Sequence, residues 1–316
     1  MSDHTSSSSP NGPANLAVPC PYQPADLPDV RLDLIHLWEP GGVLSTVAQL
    51  FDGRHAGLGS LSGFDAGALE SAELFWVSPD TCTTVRAAAA SFPHDTTLDP
   101  QFLPAPSGFA TFGEPFAGID ADHPNKPVRV DAICWGPVIL RSRVSGDQRP
   151  GVAITSYQWF PDVGQLLPLG RGDWLYGRAL SAQSFPDDQI PADNLASVVE
   201  DRALLATLCS LVAHPHLIDT TNAPLARSAK RRSIRAGIDP DRVRVHSLRL
   251  HGEAIGRAQP GGSLHSRTHR WIVRGHWRSQ PYGPDRSLRR PTWIAGHVKG
   301  PDGAPLLDPL RRVTKL

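Results

Sequence analysis

Three apolar runs follow one another between residues 108 and 160: "GFATFGEPF", "VRVDAICWGPVIL" and "GVAITSYQWF", each bounded by Pro, Gly or Asp. Their Val, Ile, Thr, Phe and Trp content, cut by turn formers, reads as three strands of one sheet. Residues 192–214, "ADNLASVVEDRALLATLCSLVAH", then place Leu195, Val198, Val199, Leu205, Leu208 and Val212 at helical spacing, with Asp193 as the cap candidate. Upstream, "VRLDLIHL" (30–37) alternates like a strand, "GVLSTVAQLF" suits a short helix, and "ELFWVSPD" is a strand. It leads into "DTCTTVRAAAASF", a helix capped by Asp80 and ended by Pro93. The class expected is α+β, with residues 30–215 forming one domain. Residues 1–29, rich in Ser and Pro and with no basic start followed by an apolar run, are expected to be a disordered tail rather than a secretion signal.

The net charge of zero conceals a division along the chain. Residues 221–316 hold 20 Lys and Arg against 6 Asp and Glu, leaving 11 against 25 for residues 1–220. Such asymmetry points to a basic part that meets a polyanion, or to two parts of the chain that meet each other. Residues 216–316 are therefore expected to form a small basic, β-rich module behind the acidic α+β domain. Within it "ARSAKRRSIRAG" reads as a short basic helix, "IDPDRVRVHSLRL" turns into a strand, and the Gly-rich "QPGGSLHS" leads to "HRWIVRGHWRSQ" (269–280).

As one strand, residues 269–278 put His269, Trp271, Val273 and Trp277 on one face and Arg270, Ile272, Arg274, His276 and Arg278 on the other. The next strand, in "TWIAGHVKG", carries Trp293, Ala295, His297 and Lys299 on one face. The two can pair as a hairpin across the 279–291 loop, which bears Arg286, Arg289 and Arg290. The tryptophans then fasten the hairpin down, and Arg and His are what it displays. Three functions suit that display. The first is nucleic-acid binding, DNA or RNA, with Arg270, Arg274, Arg278, Arg289, Arg290 and Lys299 on phosphates and Tyr282 or a partly buried Trp stacking on a base. The second is a metal-independent endoribonuclease or toxin-like effector using His276 and His297 as acid and base. The third is a non-enzymatic assembly protein whose basic module docks on an acidic surface, within one chain or between copies. The residues leave open which of the three holds, and whether the protein is an enzyme.

Other chemistry finds little footing. His265, His269 and His276 cannot share a zinc ion on a continuous strand, because ligands must converge within about 2.1 Å of one point and His269 and His276 face opposite ways. No metal and no cofactor is expected: GxGxxG after a strand, GxxxxGK[ST] and GxSxG are all absent. Cys20, Cys82, Cys134 and Cys209 lie too far apart in sequence for a CxxC pair, and no apolar run approaches eighteen residues, so a cytoplasmic protein without membrane insertion is expected. "GRGDWLYG" (170–177) reads as a turn before an aromatic strand.

The run "HRWIVRGHWRSQPYGP" followed by "RRPTWIAGHVKGPDGAPLL" resembles a C-terminal signature of uncharacterised proteins from actinobacteria and their phages and plasmids. The resemblance covers residues 265–309 and rests on the HRW, RGHWR and KGP elements; "LPAPSGFATFGEPF" is similar to the same proteins. It implies a mobile-element or phage-related setting, in which nucleic-acid binding is a common task, and it carries over no catalytic residue.

Overall fold

A computed structural model describes residues 20–39, 41–44, 61–119, 127–188, 192–213, 218–222, 225–250, 270–273, 275–294, 296–301 and 304–305. The expected helix in "GVLSTVAQLF" lies almost wholly outside them, as do the loop "QPGGSLHS", His265 and His269.

A seven-stranded mixed sheet organises the chain. Its strands are β1 (Glu73–Val77), β2 (Gly108–Ile119), β3 (Pro127–Arg141), β4 (Gln148–Phe160), β5 (Gln165–Leu175), β6 (Ile218–Asn222) and β7 (Val245–Leu250), in the spatial order β5-β4-β3-β2-β1-β7-β6. β1 runs parallel to both β2 and β7, and the other neighbours are antiparallel. Both faces are covered, which makes the architecture α+β and three-layered. The helices α1 (Leu27–Trp38) and α2 (Leu61–Ser71) lie on one face, where Leu27, Ile35, Leu69, Trp76, Phe109 and Tyr157 form a core. On the other face α3 (Pro79–Ala89) and α4 (Ala192–Val212) pack on Phe75, Phe112, Ile133, Trp135 and Ile154. Strand alternation explains the sorting: Ile133 and Trp135 of β3 enter one core, Ala132 and Cys134 the other. Trp135 lies directly across from Gly108, where a Cβ would fall 2.0 Å from its ring, so only glycine admits the indole.

Several local expectations change. "VRLDLIHL" belongs to α1 rather than to a strand: Leu27, Val30, Leu34, Ile35 and Trp38 recur at helical spacing and are all buried, and Pro28 opens the helix. The cap of α3 is Ser78 rather than Asp80. Its Oγ accepts from the Thr81 N–H at 3.4 Å, and Pro79 takes the first helical position. Asp193 lies inside α4, which begins at Ala192. "GRGDWL" is the second half of β5 rather than a turn before a strand.

The expected boundary at 215/216 runs through the sheet. β6 and β7 come from beyond it, and β7 inserts beside β1, so the core draws on both sides of the boundary. The basic helix α5 (Arg227–Arg235) follows β6 and packs on α1, where Arg232 pairs with Asp29, at 3.0 Å, and with Asp33. No helix among the described residues is long and apolar enough to cross a membrane.

Candidate nucleic-acid interface

Past β7, the described chain resumes at Arg270 and builds a hairpin on the α3/α4 side of the sheet. The expected single strand over 269–278 is instead two: β8 (Trp271–Val273) pairs with β11 (His297–Lys299), and β9 (His276–Tyr282) with β10 (Leu288–Ile294). Both pairings are antiparallel and keep one register, since Val273 faces His297 and Ile294 faces His276, three steps on along each strand. The expected hairpin is therefore present, interrupted at its middle, but its loop is shorter than the expected 279–291: residues 279–282 and 288–291 are paired strand, so Arg289 and Arg290 lie in β10 rather than in a loop. At the tip Gly283 turns the chain with φ 75°, and Asp285 and Arg286 follow with φ 51° and 54°. Left-handed backbone at two non-glycine residues curls the tip and costs energy that the paired strands must offset.

The anchoring side is aromatic. Trp277 and Trp293 are direct partners in the register, with ring centroids 5.2 Å apart and planes at 61°. Trp293 is buried in the α3/α4 core, and the Trp277 indole N–H donates to the Ala88 carbonyl at 2.8 Å while its ring meets Phe92 edge-on at 4.7 Å. Gly275 makes the close packing of Trp293 possible: a Cβ there would lie 2.4 Å from its ring. The inference that Trp pins the hairpin holds for Trp277, and Trp293 joins it. Trp271 lies in β8 opposite Lys299.

Exposed cations stand on both faces of the ribbon: by the register Arg289 and Lys299 share the face of Trp277 and Trp293, and Arg278 lies on the other. Arg278, Arg289 and Lys299, three of the residues expected to meet phosphates, are exposed, as are Arg286 at the tip and His276. Two others are engaged by the protein. Arg270 donates through Nε to the Ala304 carbonyl at 2.7 Å, and its backbone N–H donates to Pro305, which ties β8 to the segment after β11. Arg290 turns inward, with its guanidinium 5.5 Å from the Tyr282 ring centre and its Nε out of solvent without a hydrogen-bond partner. Arg274 lies outside the described residues. His276 and His297 are not brought to one rung of the hairpin: they occupy positions three residues apart along it, about 10 Å at strand rise. Among the described residues no three His, Cys, Asp or Glu side chains gather where they could hold a metal ion.

Beneath Arg290 and Tyr282 lies a cavity of about 170 Å³ between the hairpin, the 92–103 loop and α4. Its walls include Phe92, Leu98, Phe102, Trp174 and Leu205, with Thr96, Gln101 and Ser210 among its polar groups. The α4 wall is held by Arg202, whose buried guanidinium donates to the carbonyls of Asp173, Leu180 and Ala182. Sequence reading named Tyr282 and Arg290 but not the cavity, whose walls come from three separated segments. It also left unused the exposed stripe of α5, Arg227, Lys230, Arg231 and Arg235, although their spacing along a helix was visible.

Comparison with known proteins gives the chain its relatives. No curated protein matches it. A crystal structure of AcrVA2 is similar over 87% of this chain and 86% of that chain, at 14% sequence identity and a TM-score of 0.42. Residues 75–297, from β1 to the start of β11, match the AcrVA2-like family, described as the anti-CRISPR type V subtype A2 family. That span takes in most of the sheet and nearly the whole hairpin, and it agrees with the phage-related setting implied by the C-terminal motifs. The chain belongs to the AcrVA2-like family of anti-CRISPR proteins.

Proposed function

We propose that the protein inhibits a type V CRISPR system by holding one of that system's nucleic acids on the exposed cations of its docked hairpin. The observation that carries this reading is the contrast between the tryptophans that anchor the hairpin and the cations it exposes. Trp277 and Trp293 bind it to the core, while Arg278, Arg286, Arg289 and Lys299 stand in solvent. Cations on a restrained scaffold lose little freedom on meeting phosphates, and each phosphate neutralised releases counterions. CRISPR effectors hold guide and target strands in a positively charged channel and recognise them through the backbone. A protein that offers its own fixed arginines competes for the same phosphates.

Family membership supports the anti-CRISPR half of the reading, and the charge division supports the nucleic-acid half. A second reading, docking on an acidic protein surface, is favoured by Arg232, whose guanidinium is already held by two carboxylates of α1. The deciding experiment uses the full chain and an Arg278→Ser/Arg289→Ser double variant, in cells carrying a type V system and a targeted plasmid. Oligonucleotide binding is measured alongside, across a salt series. The parent should restore plasmid maintenance. The double variant should lose it, and the slope of log affinity against log salt should fall by about one for each cation removed. A folded double variant that protects the plasmid as well as the parent overturns the reading. Protection lost with oligonucleotide binding unchanged favours protein docking. Cleavage of RNA in EDTA, abolished by His276→Gln, would replace binding with catalysis.

A further inference from the structure

The cavity beside Arg290 has the size and chemistry of a site for one unpaired base. At about 170 Å³ it is smaller than the sites of drug-sized ligands, roughly 300–1,000 Å³, but comparable to an apolar cavity of about 150 Å³ that holds a benzene ring. Its guest is therefore a flat ring carried by something larger. Thr97 and Gln101 are exposed at its mouth, so a ring can enter from solvent.

The walls specify the ring further. Phe92, Phe102, Trp174 and Tyr282 offer aromatic surface, and Thr96, Gln101 and Ser210 offer hydrogen bonds that a heterocycle's edge can use and a hydrocarbon ring cannot. Arg290 adds a donor: it lines the cleft, and a guanidinium there can donate to a guest bearing a carbonyl or ring nitrogen. The same hairpin displays Arg278, Arg286 and Arg289 to solvent, where the phosphates flanking such a base would lie. Aromatic surface beside fixed cations is the pairing that recognises single strands, because a base stacked in a duplex cannot enter a cleft.

We propose that the cleft between hairpin and body receives one unpaired base of a single-stranded nucleic acid, with Arg290 donating to the base and the exposed arginines meeting its flanking phosphates. This rests on the reading of the hairpin as a phosphate-binding surface and adds a preference for single strands.

The test uses the full chain, a single-stranded oligonucleotide with 2-aminopurine at its centre, and the same sequence as a blunt duplex. The parent should bind the single strand about tenfold more tightly than the duplex, the order expected from one base–aromatic stack, and should change the 2-aminopurine emission. Ser210→Phe fills the cleft without removing a cation. It should bring the two affinities within about twofold while leaving the salt slope unchanged. Because a new ring on α4 can disturb folding, Tyr282→Leu supplies a second variant that removes aromatic surface at similar volume, and it should lose the same preference. Equal affinities in the parent, unchanged 2-aminopurine emission on binding, or a preference that survives both folded variants overturns the proposal; a peptide with an exposed Phe binding in place of the oligonucleotide would do so too. The phosphate reading fails separately, when Arg278→Ser/Arg289→Ser binds both oligonucleotides as the parent does.

Discussion

Asp65 and Asp201 sit on opposite faces of β4, each receiving a hydrogen bond from a hydroxyl of that strand. Thr155 donates to Asp65 at 2.7 Å and Ser156 to Asp201 at 2.6 Å. Burial pushes the Asp65 carboxyl up to about 6 and that of Asp201 up to about 7, each against the opposing pull of its hydroxyl. The second carboxyl oxygen of Asp65 is buried without a partner, which further favours the neutral form. The folded protein therefore keeps protons that the unfolded chain releases near pH 4. Stability contributed by these groups is present below about pH 4, falls as pH rises towards 7, and levels off above. Asp65→Asn should leave stability little changed at pH 4 and raise it at pH 8 by about 1–3 kcal/mol, as read from urea unfolding at both values. A variant no more stable than the parent at pH 8 would contradict the raised carboxyl. Neither aspartate stood out in the sequence, because nothing local marks a carboxylate that a distant strand will bury.

At the scale of elements, the hairpin is the part whose stability can be separated from the rest. Its pairing is local, but its attachment to the body runs through Trp277, Trp293 and the carbonyl of Ala88 at the end of α3. Trp277→Ala removes the indole hydrogen bond and the contact with Phe92. It should cost about 3 kcal/mol, the low end for truncating a Trp because this one is only half-buried. The loss should be local: hydrogen exchange should quicken across β9 and β10 while β2, β3 and β4 stay protected, and equal loss of protection in the sheet would refute it. The outward positions of Arg278 and His276 follow from strand alternation and were legible. Arg290 was not, since its burial depends on Tyr282 across the strand and on a loop two hundred residues earlier. Period also misled at α1. In "VRLDLIHL" Val30, Leu32 and Leu34 alternate, but Leu27, Ile35 and Trp38, outside or at the edge of that window, complete a helical face.

For the whole molecule, the charge division is a property of the chain and not a division of the fold. β7 carries residues of the basic half into the sheet beside β1, and the N–H of Ser78 donates to the Leu248 carbonyl at 3.0 Å. A fragment of residues 216–316 should consequently fail to fold alone. It would keep β6 and β7 as a two-strand ribbon with no face covered, and would strip Trp277 and Trp293 of the core they enter. Circular dichroism and amide proton spectra of the fragment should be those of an unfolded chain at 25 °C. A cooperative unfolding transition of the isolated fragment would restore it as a separate domain.

The sequence by itself determined the α+β class, strands β2 to β4, helix α4, the basic helix and the hairpin with its exposed arginines. These depend on periodicity and turn residues within a few positions of one another, and such information is local. Only the tertiary structure decided that β7 lies between β1 and β6, that the α3/α4 core receives Trp293 of the hairpin, and that Arg290 lines a cavity. Those outcomes depend on which apolar faces cover one another across long separations in sequence. A chain with several comparable apolar faces does not announce that choice in any single stretch; it is made when the faces pack.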